Sequence, residues 1–137
     1  MLCDSIRSLV LDEHARQGAG FIEGVDIELY LAKLGEKAEI VSHSISGRCR
    51  GFAAFYCNDM NTKRAYITLV LVDPRDRGLG LGKSLVASVL EMARHRGFTS
   101  CGLEVAKRNE AAYAMYLSLG FRVVESQDHK YLLEIAL

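Results

Sequence analysis

The stretch Asp76-Arg77-Gly78-Leu79-Gly80-Leu81-Gly82-Lys83-Ser84 follows an apolar run, YITLVLV, and precedes residues with helical spacing. Alternating glycines between two cations are the materials of an anion cradle. Glycines let backbone approach a ligand closely, and the free N–H groups of a first helical turn point along the positive end of the helix dipole. A P-loop needs four residues between its first glycine and Gly-Lys-Ser; counting back from Gly82 finds Arg77 there, with Gly78 one residue too close. The dinucleotide pattern G-x-G-x-x-G fails in both registers, because Lys83 and Leu85 stand where the third glycine belongs. What remains is Arg77-x-x-Gly80-x-Gly82, a strand, a tight loop and a helix N-terminus suited to a pyrophosphate. A bare strand-to-helix turn also uses glycine, but it does not need three of them between Arg77 and Lys83.

The elements that must position this loop follow from periodicity. Leu2, Ile6, Leu9, Val10 and Glu13 have helical spacing, and a second helix is predicted from Val25 to Leu34 through Ile27, Tyr30, Leu31 and Leu34, with a loop between them. Runs at 38–45 and 49–57 read as strands joined by Ser46-Gly47-Arg48, and Asn58 to Asn61 make the next turn. The run at 65–72 is apolar in every phase, as in a strand covered on both faces, and Pro74 ends it. Leu81, Leu85, Val86, Val89, Leu90 and Ala93 predict a helix stopped by Gly97. A strand at 99–105, a helix at 109–119 stopped by Gly120, and two final strands complete the order.

Composition bounds the function. The 137 residues suit one domain, and 50% hydrophobic residues supply a core without metal or disulfide. Seventeen basic and seventeen acidic side chains cancel, so no overall field draws the chain to nucleic acid or to an anionic membrane. Cys3, Cys49, Cys57 and Cys101 show no C-x-x-C spacing, and the N-terminal segment has neither a signal-peptide core nor a membrane span. A soluble, cytoplasmic protein with reduced thiols is expected, with no metal. The edges of so small a sheet leave room for a homodimer.

The glycine segment resembles the acetyl-CoA signature of the Gcn5-related N-acetyltransferase (GNAT) family, R/Q-x-x-G-x-G/A, preceded by a V-x-P strand end that matches Val72-Asp73-Pro74. A second block, Asn109 to Phe121, is similar to the family's N-x-x-A-x-x-x-Y-x-x-x-G-F, with Leu103-Glu104-Val105 just before it. Together they cover about residues 65–124. The resemblance implies an α/β (α+β) fold: one domain over 1–137 with a mixed, mostly antiparallel sheet flanked by helices and splayed between the family's strands 4 and 5. It implies that the pyrophosphate of acetyl-CoA, the co-substrate, is gripped by the backbone of Gly78, Leu79, Gly80, Leu81, Gly82 and Lys83 beside Arg77. The pantetheine arm would pair with Val70, Leu71 and Val72, where a backbone N–H also polarises the thioester carbonyl, and Asn109 would add a coenzyme contact besides capping its helix.

By the same resemblance Tyr116 is the acid that protonates the departing thiolate, and a phenol of pKa about 10 is a competent donor. Many relatives carry a glutamate on the fourth strand as base. Here that strand offers Tyr66 and Thr68, and Glu104 is the substitute, either as base or as an exposed, salt-bridged carboxylate. A water-relayed base is equally open. His43, His95 and His129 have no motif support, and Cys101 reads as a small buried strand residue rather than an acyl acceptor. Glu23, Asp26 and Glu28 would attract a cationic amine, or are a solvated face. The resulting expectation is direct transfer of acetyl to a primary amine of a small molecule or peptide. The alternative is a catalytically silent coenzyme-A-binding sensor or partner module, and a P-loop nucleotide binder is a third reading.

Overall fold

The computed structural model describes residues 2–18, 21–22 and 26–137. Helices α1 (Asp4–Gln17) and α2 (Ile27–Lys37) are followed by strands β1 (Glu39–Ile45), β2 (Arg48–Tyr56) and β3 (Arg64–Val72). Then come α3 (Leu81–His95), β4 (Ser100–Ala106), α4 (Glu110–Leu119), β5 (Arg122–Ser126) and β6 (Lys130–Ala136). The predicted order is reproduced, with strand ends shifted by about one residue. The second helix runs three residues beyond Leu34, and its predicted first residue, Val25, lies outside the described residues together with Glu23.

The six strands form one sheet in the order β1-β2-β3-β4-β6-β5. Only β3 and β4 pair in parallel, and they are joined by the α3 crossover that a parallel pair requires. Ser46 and Gly47 both have positive φ, 52° and 78°, which is the backbone of the two-residue hairpin whose twist matches that of β1 and β2. α1 and α2 cover one face of the sheet and α3 and α4 the other. The central strand β2 feeds both cores: Phe52 and Ala54 point to the first, Ala53 and Phe55 to the second, and all four are fully buried. α3 contributes Leu85, Val86, Val89, Leu90 and Ala93 to the second core. It stops at Gly97 (φ 80°), where the N–H of Gly97 donates to Arg94 C=O at 2.9 Å and the N–H of Phe98 to Ala93 C=O at 3.0 Å.

Two packed helix layers on either side of a twisted sheet are rigid except where the sheet opens. β3 and β4 pair only from Arg64↔Ser100 to Ile67↔Leu103. Beyond that point the strands part while β3 stays registered on β2 as far as Val72↔Gly51. The site lies in that gap.

Candidate active site

The register of β3 slips at the splay. Ala54 faces Leu69 and Phe55 faces Ile67, so Thr68 is the extra residue of a β-bulge. Before the bulge Ala65 and Ile67 enter the core under α3 and α4; after it Leu69 and Leu71 turn to the α1/α2 side. From Thr68 to Val72 one backbone edge of β3 is bonded to β2 and the other faces the gap with no strand partner. The gap is a cleft of about 1070 Å³ lined by β3, β4, α4, the glycine loop and the end of α1.

At one end of the cleft Asp73 accepts from the N–H of Arg75 at 2.9 Å and starts a 3-10 turn, Pro74–Asp76. Gly78 and Gly80 then adopt left-handed φ values of 82° and 78°, and Gly80 caps α3 without any side-chain acceptor. Ser84 donates to Gly80 C=O at 3.1 Å as the first intrahelical bond, so the amides of Leu81, Gly82 and Lys83 are left without helical acceptors. Gly78, Gly80, Leu81, Gly82 and Lys83 line the cleft together with Val70, Leu71, Val72, Arg77 and Asn109. The structure therefore brings ten of the eleven expected coenzyme residues to one wall, whereas Leu79 points out and is 68% exposed.

Arg77 has a role that motif reading missed. Its guanidinium donates to Val72 C=O at 3.0 Å and to the Glu13 carboxylate at 2.9 Å, tying the loop to α1 across 64 residues of sequence. Glu13 is 3% exposed and also accepts from Arg16 and Gln17. Burial alone raises its carboxyl, but the hydrogen bonds from Gln17 and Arg16 and the charge of Arg77 outweigh this and leave it below its ordinary value.

A second network holds the turn. Asp73 pairs with Arg75 at 2.8 Å and Arg48 at 3.3 Å, and Asp76 with Arg48 at 2.8 Å and Arg50 at 3.0 Å. The hydrogen bond from Arg75 pulls the Asp73 carboxyl well below the usual carboxylate range, and that from Arg48 lowers Asp76. Both carboxylates have folded-state values below their unfolded one near 3.8. The stability they add is complete above about pH 4 and is lost as pH falls through the lower folded values. Urea midpoints measured at about pH 5 and about pH 3 are therefore expected to fall further for the wild type than for Asp76→Asn, which has one such carboxylate fewer to protonate.

On the opposite wall Asn109 caps α4 by accepting from Ala112 N–H at 3.2 Å, and Tyr116 lies one and a half turns further on. Tyr116 is 6% exposed, meets Phe121 edge-on with centroids 5.6 Å apart, and lines the cleft. Burial pushes its hydroxyl above the ordinary tyrosine value, with Cys101 adding to the shift, so it stays protonated at every physiological pH. Cys101 itself is fully buried and its thiol is pushed up to about 12, which leaves no thiolate for acyl transfer.

Glu104 projects from β4 away from Cys101, Leu103 and Val105, as alternation requires, and lines the cleft. It is exposed and accepts from Lys130 Nζ at 2.8 Å, so the salt-bridged arrangement is present. Tyr66 stands on the same face: burial first and then the Glu104 charge push its hydroxyl up to about 12. Tyr30 of α2 reaches over the bulge to Thr68; burial raises its hydroxyl and Thr68 partly offsets this. The acids expected to face an amine are placed elsewhere. Asp26 caps α2 through Glu28 and Leu29, Glu28 pairs with Arg7 at 2.6 Å, and Glu23 lies outside the described residues. Among the histidines, His95 lies 3.5 Å from Glu91, His43 is exposed on β1, and only His129 borders a cavity next to the cleft. Among the described residues no group of His, Cys, Asp and Glu is arranged to hold a metal, and no helix is long and apolar enough to cross a membrane.

A splayed parallel pair, a bulge at the splay and a helix N-terminus aimed into it define an acyl-CoA-type cleft, and known proteins show the same combination. The model of the Acetyltransferase (GNAT) family matches residues 13–121. The chain belongs to that family and is an acyltransferase of the N-acetyltransferase class. It is 33% identical over 114 residues to a glucosamine 6-phosphate N-acetyltransferase of Trypanosoma brucei brucei, a match covering 77% of this chain and 75% of the relative. It is 38% identical over 79 residues to a 5-NmdU N-acetyltransferase of Pseudomonas phage PaMx11, covering 56% and 52%. Among solved structures, the PaiA N-acetyltransferase of Thermoplasma acidophilum in complex with coenzyme A superposes with a TM-score of 0.77 at 14% identity, over 98% of this chain and 92% of that one. The ribosomal-protein-S18-alanine N-acetyltransferase of Escherichia coli gives a TM-score of 0.76 at 21% identity, over 98% and 90%.

Proposed function

We propose that this chain transfers an acetyl group from acetyl-CoA directly to a primary amine of a small molecule or peptide. The observation that carries the reading is the convergence, on one cleft, of the unpaired β3 edge, the α3 amides without helical acceptors, Tyr116 and Glu104. The amides of Leu81, Gly82 and Lys83 suit a pyrophosphate, since they are fixed donors at a positive helix end and Gly78 and Gly80 hold them in place. The open edge from Thr68 to Val72 offers main-chain partners for the pantetheine amides, and an N–H at the bulge is positioned for the thioester oxygen as charge builds there. Arg77 acts through its ties to Glu13 and Val72, as a brace of the loop, more than through a charge held out to the ligand.

In this scheme Glu104 takes the proton of the attacking amine, directly or through a water, and Tyr116 donates its proton to the leaving sulfur. A tyrosine whose hydroxyl is raised by burial suits the second task, because it cannot lose the proton before the sulfur needs it. Thr68, Tyr66 and Tyr30 form the wall on the acceptor side. The relatives named above include enzymes for an amino sugar phosphate and for a protein alanine, so small-molecule and peptide amines both suit this architecture. The reduced state of all four cysteines supports a cytoplasmic setting.

The direct test incubates the protein with acetyl-CoA and a panel containing an amino acid, a polyamine, an amino sugar and an N-terminal peptide. Free-thiol release and the mass of each amine are followed. An amine that gains one acetyl group in step with thiol release is expected; thiol release without any acetylated amine, or no release with any member, contradicts the proposal.

A further inference from the structure

Beside the acetyl-transfer cleft lies a second cavity of about 600 Å³ that the scheme above leaves without a role. Two segments build its rim, Lys107-Arg108 after β4 and Asp128-His129-Lys130 leading into β6. The N–H of Lys107 donates to His129 C=O at 2.9 Å and fastens one segment to the other. Glu104 and Arg108 line both cavities, so the two spaces adjoin at the carboxylate assigned to the attacking amine. An acceptor with its nitrogen at Glu104 has the second cavity as the place for its other end.

The charge around that end is not balanced as the whole chain is. Lys107, Arg108 and Lys130 stand against Glu104 and Asp128, and the Glu104–Lys130 pair at 2.8 Å cancels internally. Two cations then face one carboxylate, with His129 able to add a third positive charge. Lys107 is held rather than left to wander: its ammonium sits 4.9 Å above the Tyr131 ring, which itself stacks on Tyr113 at 4.7 Å. A concavity that gathers one sign of charge on fixed side chains focuses its field on the ligand, and like charges so gathered are relieved by an anion. A polyamine would meet repulsion in the same place.

We propose that this cavity is a subsite for an anionic group of the acceptor, which is thus an amine carrying a phosphate or carboxylate a short distance from its nitrogen. The proposal rests on the acetyl-transfer reading only in taking Glu104 as the point where the amine arrives. Its recognition chemistry is that of Lys107 and Arg108 toward a terminal oxyanion, with the Lys130–Glu104 pair marking the boundary between the two ends of the acceptor.

The test measures binding without acetyl-CoA, so that it does not depend on turnover. The 15N-labelled full chain is titrated with ethanolamine, phosphoethanolamine and β-alanine, and amide shifts are followed by NMR. Phosphoethanolamine or β-alanine is expected to bind at least about tenfold tighter than ethanolamine, the effect of one or two hydrogen bonds to a charged group. The largest shifts are expected at Lys107, Arg108, His129 and Lys130. Lys107→Met, which keeps a stem over the Tyr131 ring and removes the charge, is expected to erase the preference. Whichever anionic ligand binds tighter identifies the oxyanion. Equal binding of ethanolamine, or shifts confined to residues 78–83, overturns the subsite. If the anion preference holds but no amine is acetylated, the acetyl-transfer reading fails and the subsite stands.

Discussion

Tyr116→Phe is expected to lower kcat by about 10²–10⁴-fold, the usual worth of a positioned general acid, with little change in the KM for acetyl-CoA. The substitution removes one oxygen and keeps the ring that meets Phe121 edge-on and fills the core between α4 and β4. Stability should change by less than about 1 kcal/mol, so lost activity cannot be blamed on unfolding. The pH profile supplies an independent reading. Burial and Cys101 hold the Tyr116 proton well past the normal tyrosine range, so the wild type should show no alkaline loss of activity below about pH 10. A steady-state comparison of the two proteins at saturating acetyl-CoA decides it: equal turnover removes Tyr116 from the chemistry.

The second large effect is expected in the glycine loop. Gly80 sits at φ 78° with nothing within 4 Å of the place where a side chain would begin. Gly80→Val therefore meets no neighbour, and its cost is conformational: about 1–2 kcal/mol to hold a non-glycine residue in the left-handed region, or a shift of the loop that escapes it. Either outcome misaligns the amides of Leu81, Gly82 and Lys83, and affinity for acetyl-CoA should fall at least about tenfold. Gly97, at the other end of α3, has φ 80° and equally open surroundings. Gly97→Val should carry a similar stability cost with unchanged affinity. Urea unfolding and calorimetric titration of both variants separate the two effects; matched losses of affinity would show that the loop has no special part in binding.

The contrast between these two glycines also shows what sequence can and cannot express. Both were legible as punctuation, because each follows or precedes a clear run of helical spacing. Only the R-x-x-G-x-G context marked Gly80 as part of a site. The strands were legible for the same local reason: alternation in β2 and apolar saturation in β3 are properties of neighbouring residues. Tyr116, Asn109 and the coenzyme wall followed from motif register, and the structure gathers them with the single exception of Leu79.

What was not legible depends on partners far apart in the chain. Glu13 carries the pattern of a buried helix position, and nothing near it announces Arg77 as the cation that neutralises it. The bulge at Thr68 is a mismatch of register between β2 and β3, which periodicity within β3 alone cannot reveal. Glu104 could be placed on the correct face of its strand, but Lys130 meets it only because β6 pairs beside β4. The acids Asp26 and Glu28 misled as candidate amine contacts because helix capping and an ion pair with Arg7 use the same residue types.

The central claim is that the α3 N-terminus and the open edge of β3 receive acetyl-CoA. Thermal unfolding of the full chain with and without acetyl-CoA, with ATP and magnesium as the comparison, tests it most directly. At a hundred times its dissociation constant a ligand of the native state adds about 2.7 kcal/mol of stability. The account predicts a clear upward shift with acetyl-CoA alone, retained in Gly97→Val and reduced in Gly80→Val; no shift with acetyl-CoA, or a shift with ATP and magnesium instead, would contradict it.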